Sequence, residues 1–460
     1  MLERNPISVL RCGEDGHQIV VYGDSCSGVA GALHEKNFQQ VNETICALED
    51  APDFVCFLGD EIMGLTIDRD ELRRQWRYFF ERELAWLDRG STPLYHTTGN
   101  HTVYDPASED VFRKVMAHLP QNGPRGLSYF VRRGDLLMIF VNTLDARSGG
   151  EGTVETAWLE NVLRQQGDAT HKLVFGHHPV WAVNGYCGDY QRLIERENGR
   201  RFWDVLLRHN VLAYFCSHIL AFDVQAQAGI LQICTAGAGT AHRMPPGEEY
   251  LHFMQVALDE AGLRYQVVER KGRAREWLCW DWKLPPSATW ATFEPSSAQE
   301  LPSDCLQRPE EAVLLVWEIG LRLPPDDEKL PQTILCATGD GGALPNLWLG
   351  ISGVDRRITV LLSPEANRSP HRWLGPALPA DRRVSIQVAV HSGMGPGGLL
   401  WRWSDDHPWS SMAGASAWGV ESLPWLRDWR IGECAGGQKF RGRDLRLKWH
   451  HQAFKLSDYR

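Results

Sequence analysis

Asp24, Asp60, Asn100 and His177 each follow a glycine, His218 follows Ser217, and a short apolar run precedes every one of them. Carboxylate, amide oxygen and imidazole together are the donor set of hard-to-borderline metal cations. Each residue also has a plainer reading on its own. An Asp after Gly caps the next helix, an Asn after Gly makes a turn, and an adjacent pair such as His177-His178 can be satisfied by hydrogen bonds. Five such residues at five strand ends point to one metal centre, because α/β sheets gather their ligands at the C-terminal ends of their strands.

The elements that would carry these residues can be read from periodicity. Strands are expected over 18–22, 53–58, 93–98, 211–216 and in the run ending Val174-Phe175, each an apolar, mostly β-branched or aromatic run closed by Gly or Ser. Helices are expected over 37–48, 70–88, 155–166 and 201–208. In the second of these, Leu72, Trp76, Phe79, Phe80, Leu84 and Leu87 recur at helical spacing, which is a packing face. A hairpin is expected around Arg133-Gly134-Asp135, and further antiparallel strands over 230–235 and 253–258. Strands alternating with helices make the first part of the chain α/β with mixed sheets.

The chain has 460 residues, more than one compact core accommodates, so two domains are expected. The boundary is placed at residue 275, with a linker over 276–290 and a second domain over 291–460, the change being marked by Pro285-Pro286 and Glu294-Pro295-Ser296-Ser297. There helical periodicity fades and short alternating runs recur over 312–319, 332–336, 347–351, 357–362, 384–390 and 445–449, the pattern of an all-β sandwich. A net charge of -10 argues against nucleic-acid binding by bulk electrostatics, while leaving room for an anionic small molecule at a metal. No apolar run reaches the roughly 18 residues of a bilayer span. Eleven cysteines, scattered singly with no Cys-x-x-Cys, fit free thiols in a reducing cytoplasm.

Gly23-Asp24, Gly59-Asp60, Gly99-Asn100-His101, Gly176-His177-His178-Pro179 and Ser217-His218 resemble, in order and approximate spacing, the motifs of calcineurin-like metallophosphoesterases. The stretch His177-His178-Pro179-Val180-Trp181 and the later Gly237-Ala238-Gly239 resemble the purple, or tartrate-resistant, acid phosphatase branch. The resemblance covers roughly residues 15 to 270. It implies a β-sandwich flanked by helices and one or two divalent or trivalent ions (iron, zinc or manganese). One ion would be held by Asp60, Asn100, His177 and His218. The other would use Asp24, the shared Asp60 and the residues at 26 and 220.

This chain departs from the family pattern on the second ion's side. Cys26 and Leu220 stand where the family has histidines, and Met63 stands where the acid-phosphatase branch has a tyrosine ligand. Cys26 is either a soft thiolate ligand or a small buried filler. His101 matches the family histidine that assists the leaving group, with Thr102 in place of its usual acidic follower. Asp105 is a possible substitute orienter, or a turn cap. His178 is a candidate for a substrate contact or for a structural donor.

In the second domain, Trp429-Arg430-Ile431-Gly432 and the segment from Lys439 to Leu445 resemble the end of a concanavalin A- or laminin-G-like jelly roll. Such domains often bind glycans. Trp401, Trp403, Trp409, Trp418, Trp425 and Trp429 would either stack on sugars or pack in the core and between domains. The expected function is hydrolysis of a phosphomonoester or phosphodiester. The alternatives are a different hydrolysis or lyase reaction on the same scaffold, or a decayed catalytic domain joined to a glycan-binding sandwich.

Overall fold

The structure, a computed structural model, describes residues 6–144, 152–183, 193–240, 250–280, 311–324, 330–339, 345–363, 370–414, 426–434 and 438–460. The N-terminal part contains strands β1 (His17–Tyr22), β2 (Phe54–Phe57), β3 (Leu94–His96), β4 (Tyr129–Arg133), β5 (Leu136–Phe140) and β6 (His171–Phe175). They are followed by β7 (Ala213–Cys216), β8 (Phe222–Gln227), β9 (Ile230–Thr235), β10 (His252–Asp259), β11 (Gly262–Glu269) and β12 (Ala274–Cys279). Helices α1 (Leu33–Ile45), α2 (Arg69–Tyr78), α3 (Pro106–Val115), α4 (Thr156–Gln165) and α5 (Arg196–Arg208) lie between them.

Two six-stranded sheets form, in the orders β12-β11-β10-β1-β2-β3 and β4-β5-β6-β7-β9-β8. The strands β1, β2 and β3 run parallel, as do β5, β6, β7 and β9, so their C-terminal ends collect at one edge of each sheet. Alternation along β5 shows how the layers stack. Leu136, Met138 and Phe140 enter the core shared with the first sheet, while Leu137 and Ile139 meet Leu159, Leu163, Phe202 and Leu206 of α4 and α5. On the far side, Phe38, Trp76 and Phe112 of α1, α2 and α3 join the first sheet's core. The result is the helix-flanked sandwich that the motif resemblance implied. The boundary expected at 275 falls inside β12, which pairs with β11 through Cys279. Residues 276–279 therefore belong to the first sheet, and 281–290 lie outside the described residues.

The C-terminal part is antiparallel throughout its described strands: β13 (Glu311–Arg322), β14 (Gln332–Thr338), β15 (Leu347–Ile351), β16 (Arg357–Leu362), β17 (His371–Ala377) and β18 (Arg383–His391). Shorter strands β19 (Leu399–Arg402), β20 (Ser410–Ser411), β21 (Ala413–Gly414) and β22 (Arg427–Ile431) precede the long last strand β23 (Arg443–Lys455). The sheets run β20-β19-β18-β13-β23 and β21-β17-β16-β15-β14-β22. They face one another across Val313, Leu315, Trp317 and Ile319 on one side and Ile334, Leu349, Val360 and Trp373 on the other. The opposite residues of β13, Ala312, Leu314 and Val316, enter the core of the N-terminal part together with Leu400, Trp409 and Phe454. The alternation expected over 312–319 is therefore not what β13 shows: both of its faces are apolar because both are buried.

Backbone contacts reinforce that junction: Gly229 N–H donates to Trp409 O at 2.8 Å, and Ala226 and Ala228 N–H donate to Ser411 and Ser410 Oγ at 3.0 and 2.9 Å. The described tryptophans follow the packing reading. Trp409 and Trp429 are buried, and Trp401 and Trp403 lean on the sandwich core. Trp418 and Trp425 lie outside the described residues.

Candidate metal centre

Strands β1, β2, β3, β6 and β7 each hand one polar side chain to the shared edge, and the backbone turns sharply at several of these ends. Asp24, Cys26, Asp60 and His218 all take positive φ (62°, 43°, 56° and 70°), a conformation uncommon outside glycine. Neighbouring glycines make this possible. Gly59 is left-handed at φ 88°, and a Cβ there would meet Thr98 O at 2.7 Å and His177 Nδ1 at 2.9 Å. A Cβ on Gly99 would sit 2.2 Å from Asp60 Oδ1. The Gly-Asp and Gly-Asn spellings thus reflect two loops packed against each other at the ligands.

Four donors converge. From His177 Nε2, Asn100 Oδ1 is 3.1 Å away, His218 Nδ1 3.2 Å and Asp60 Oδ2 3.4 Å. His177 Nδ1 lies 2.7 Å from Leu58 O, so that nitrogen donates and Nε2 faces the cluster. A backbone carbonyl in this position fixes the tautomer of a metal-binding histidine. Burial opposes a charge on His177, yet Asp60 beside it outweighs burial and raises its pKa. Burial likewise opposes ionisation of Asp60, and the charges of His177, His101 and His218 overcome it and hold its carboxyl low. A proton on His177 is therefore what balances this donor set, and a cation placed among the same atoms would do so more fully. The residues fit a metal ion.

Among the described residues, two triads of donor atoms lie within 4.8 Å of one another: Asp60–His177–His218 and Cys26–Asp60–His101. Asp24 belongs to neither. Its Oδ2 accepts from His218 N–H at 2.9 Å and from the Ser217 hydroxyl, so it ties the end of β1 to the end of β7. Burial pushes its carboxyl up to about 6. Cys26 is buried, and burial reinforced by Asp60 and Asp24 keeps its thiol well above the usual range. Leu220, downstream of His218, offers no donor atom.

His101 places its N–H 2.8 Å from Asp60 Oδ1 and its Nδ1 2.6 Å from Met63 O. Asp105 is engaged elsewhere: it caps α3 by accepting from Ser108 N–H at 2.7 Å within a capping box. The orienting group is the Met63 carbonyl, which side-chain spelling does not reveal. His178 is fully buried; its Nδ1 lies 3.0 Å from Thr143 Oγ1, and its ring lies 4.5 Å from that of His218. That position suits holding His218 in place.

Three supports carry little sequence signal. Glu61 and His96 form a wholly buried pair at 2.8 Å under Asp60. Burial raises the glutamate well above its ordinary pKa and lowers His96 to about 3, so the pair is a neutral hydrogen bond. Residues Phe79–Glu83 continue α2 as a π-helix, and Glu83 accepts from Gly28 N–H at 3.1 Å and from the Ser27 hydroxyl, bracing the loop that bears Cys26. Thr240 donates through N–H and Oγ1 to Asp24 O, at 3.0 and 2.6 Å.

The N-terminal layers are two mixed six-stranded sheets flanked by helices, with this donor cluster at their shared edge. No family model matches the sequence, and no curated protein matches it in sequence. Similar solved structures include a purple acid phosphatase from yellow lupin (Lupinus luteus) seeds, at 14% identity and TM-score 0.43 over 57% of this chain and 53% of that one. A dimetal phosphatase from Danio rerio is 15% identical, with TM-score 0.41 over 58% of this chain and 99% of that one. GAP50, the anchor in the inner membrane complex of Plasmodium, is 14% identical with TM-score 0.41 over 58% and 89%. This chain spans about half the length of the lupin protein. No described helix is long and apolar enough to cross a membrane.

Proposed function

We propose that this chain is a metal-dependent hydrolase of small phosphoesters, with its principal ion held by Asp60, Asn100, His177 and His218. The observation that carries this reading is the convergence of Asn100, His218 and Asp60 within 3.1 to 3.4 Å of His177 Nε2, with Nδ1 committed to Leu58 O. An ion there supplies Lewis-acid stabilisation of a phosphoryl oxygen and acidifies a water molecule. The protein's own contribution is orientation: Leu58 O aims His177, Asp24 fixes the His218 backbone, and His178 backs the His218 ring. The singly scattered cysteines of the sequence support a reducing compartment such as the cytoplasm. The C-terminal sandwich is read as concanavalin A- or laminin-G-like, and its packing against β8 supports a structural part in the enzyme.

His177→Ala tests the assignment. It should lose the principal ion by elemental analysis and lower hydrolysis of an aryl phosphate by at least about 100-fold. Unchanged turnover by a metal-free variant would refute it. A substrate panel in which phosphate esters are inert and another ester class turns over would favour different chemistry on the same scaffold.

A further inference from the structure

We propose that a second ion, zinc, is held by Cys26 Sγ, Asp60 and His101 Nε2, so that His101 is a metal ligand rather than the leaving-group assistant its motif implies. This rests on the reading of the neighbouring donors as a metal centre, and it assigns a ligand set that the motif resemblance does not contain. Three observations carry it.

The three donor atoms lie within 4.8 Å of one another. Tetrahedral zinc at its usual bond lengths to sulfur, nitrogen and oxygen separates its donors by about 3.5 Å, so closing on an ion needs shifts of about 1 Å or less. His101 is prepared for the role: Nδ1 is engaged by Met63 O at 2.6 Å, which leaves Nε2 as the free face, 4.0 Å from Asp60 Oδ2. This is the arrangement by which His177 is aimed through Leu58 O. Cys26 is also held in position by an unusual backbone. It takes φ 43°, its N–H donates to Asp60 O at 2.7 Å, and Glu83 braces the next two residues.

The chemistry selects the metal. A thiolate with imidazole and carboxylate favours zinc over magnesium or manganese, and three protein donors leave a fourth position open, as in catalytic rather than structural zinc sites. Binding releases the Cys26 thiol proton to solvent, with no change of oxidation state. Asp60 Oδ2, 3.4 Å from His177 Nε2 and 4.0 Å from His101 Nε2, would serve both donor sets. The residues missing from the family pattern at 26 and 220 would then be compensated by Cys26 and His101.

Reconstitution of the full-length metal-free protein with cobalt(II) and, separately, zinc(II) tests this. The expected result is two equivalents per chain, with a sulfur-to-cobalt charge-transfer band accompanying one of them. Cys26→Ala should abolish the band and one equivalent, and His101→Ala should weaken that equivalent at least about tenfold; both should keep the other. Cys26→Ser, the closest isostere, guards against misfolding and should likewise lose the band. In contrast, His177→Ala should retain the band while losing the principal equivalent. One bound ion and no thiolate band in the unaltered protein would overturn this proposal and leave the principal site standing. A second ion unaffected by Cys26→Ala would also overturn it. No bound ion at all would overturn both readings.

Discussion

At the scale of single residues, a proton and the proposed ion would compete for His177. Asp60 raises its pKa above the ordinary imidazole value despite burial, so in the metal-free protein it gains stability from being protonated. For a raised group that contribution is complete below about pH 6.5 and is lost as pH climbs through the folded value. Asp24, raised to about 6 by burial, acts in the same direction: its protonated form favours folding below about pH 4, and that support is gone above 6. Asp60 is held low, so its contribution is present above about pH 4 and is lost only in strong acid. The melting temperature of chelator-treated protein should therefore fall as pH rises from about 6 to 9. Metal affinity should rise about tenfold per pH unit for each proton displaced, which calorimetry in buffers of different ionisation enthalpy can count. An affinity independent of pH would mean that His177 carries no proton to displace.

At the scale of elements, caps and turns decide which polar residues remain available to the site. Asp105 lies four residues beyond His101, yet its side chain closes the first turn of α3 with Ser108. Asp105→Ala should cost about 1 kcal/mol in urea denaturation while leaving metal content and phosphoester turnover within twofold. A large loss of activity without loss of stability would instead return Asp105 to the orientation of His101. The helix expected over 70–88 illustrates the opposite case. Its apolar spacing is real, but the last turn is wound as a π-helix, which brings Glu83 to Ser27 and Gly28. Periodicity reports which residues face the core; it carries no mark of where the winding changes.

At the scale of the whole molecule, β13, β18 and β19 put one set of side chains into the C-terminal sandwich and the other into the N-terminal core. The two halves share apolar surface and are expected to unfold together. Trp409→Ala should destabilise the protein by about 3 kcal/mol and separate a single calorimetric transition into two, because it removes a buried ring at that junction. Two transitions already present in the unaltered protein would show that the junction does not couple the halves.

Much of this was written in the chain itself. Apolar runs ending in Gly-Asp, Gly-Asn-His, Gly-His-His and Ser-His located the strand ends and the donor types, because strand burial and sharp glycine turns leave local marks. The hairpin of β4 and β5, helices α4 and α5 and the recurring C-terminal strands were legible for the same reason, although α1 begins at Leu33, ahead of the expected 37. Strand β17, with exposed and half-buried positions interspersed, had too little alternation to be seen. Distances between loops were not legible. That His177 stands between Asn100, His218 and Asp60, that Met63 O aims His101 toward Cys26, and that Asp24 is engaged with Ser217 and His218 are consequences of chain segments up to about 190 residues apart meeting at one edge. Sequence alone determined which donors reach that edge. Only the packing of the two sheets decided which of them face one another, because that depends on register and layer stacking that no local pattern encodes.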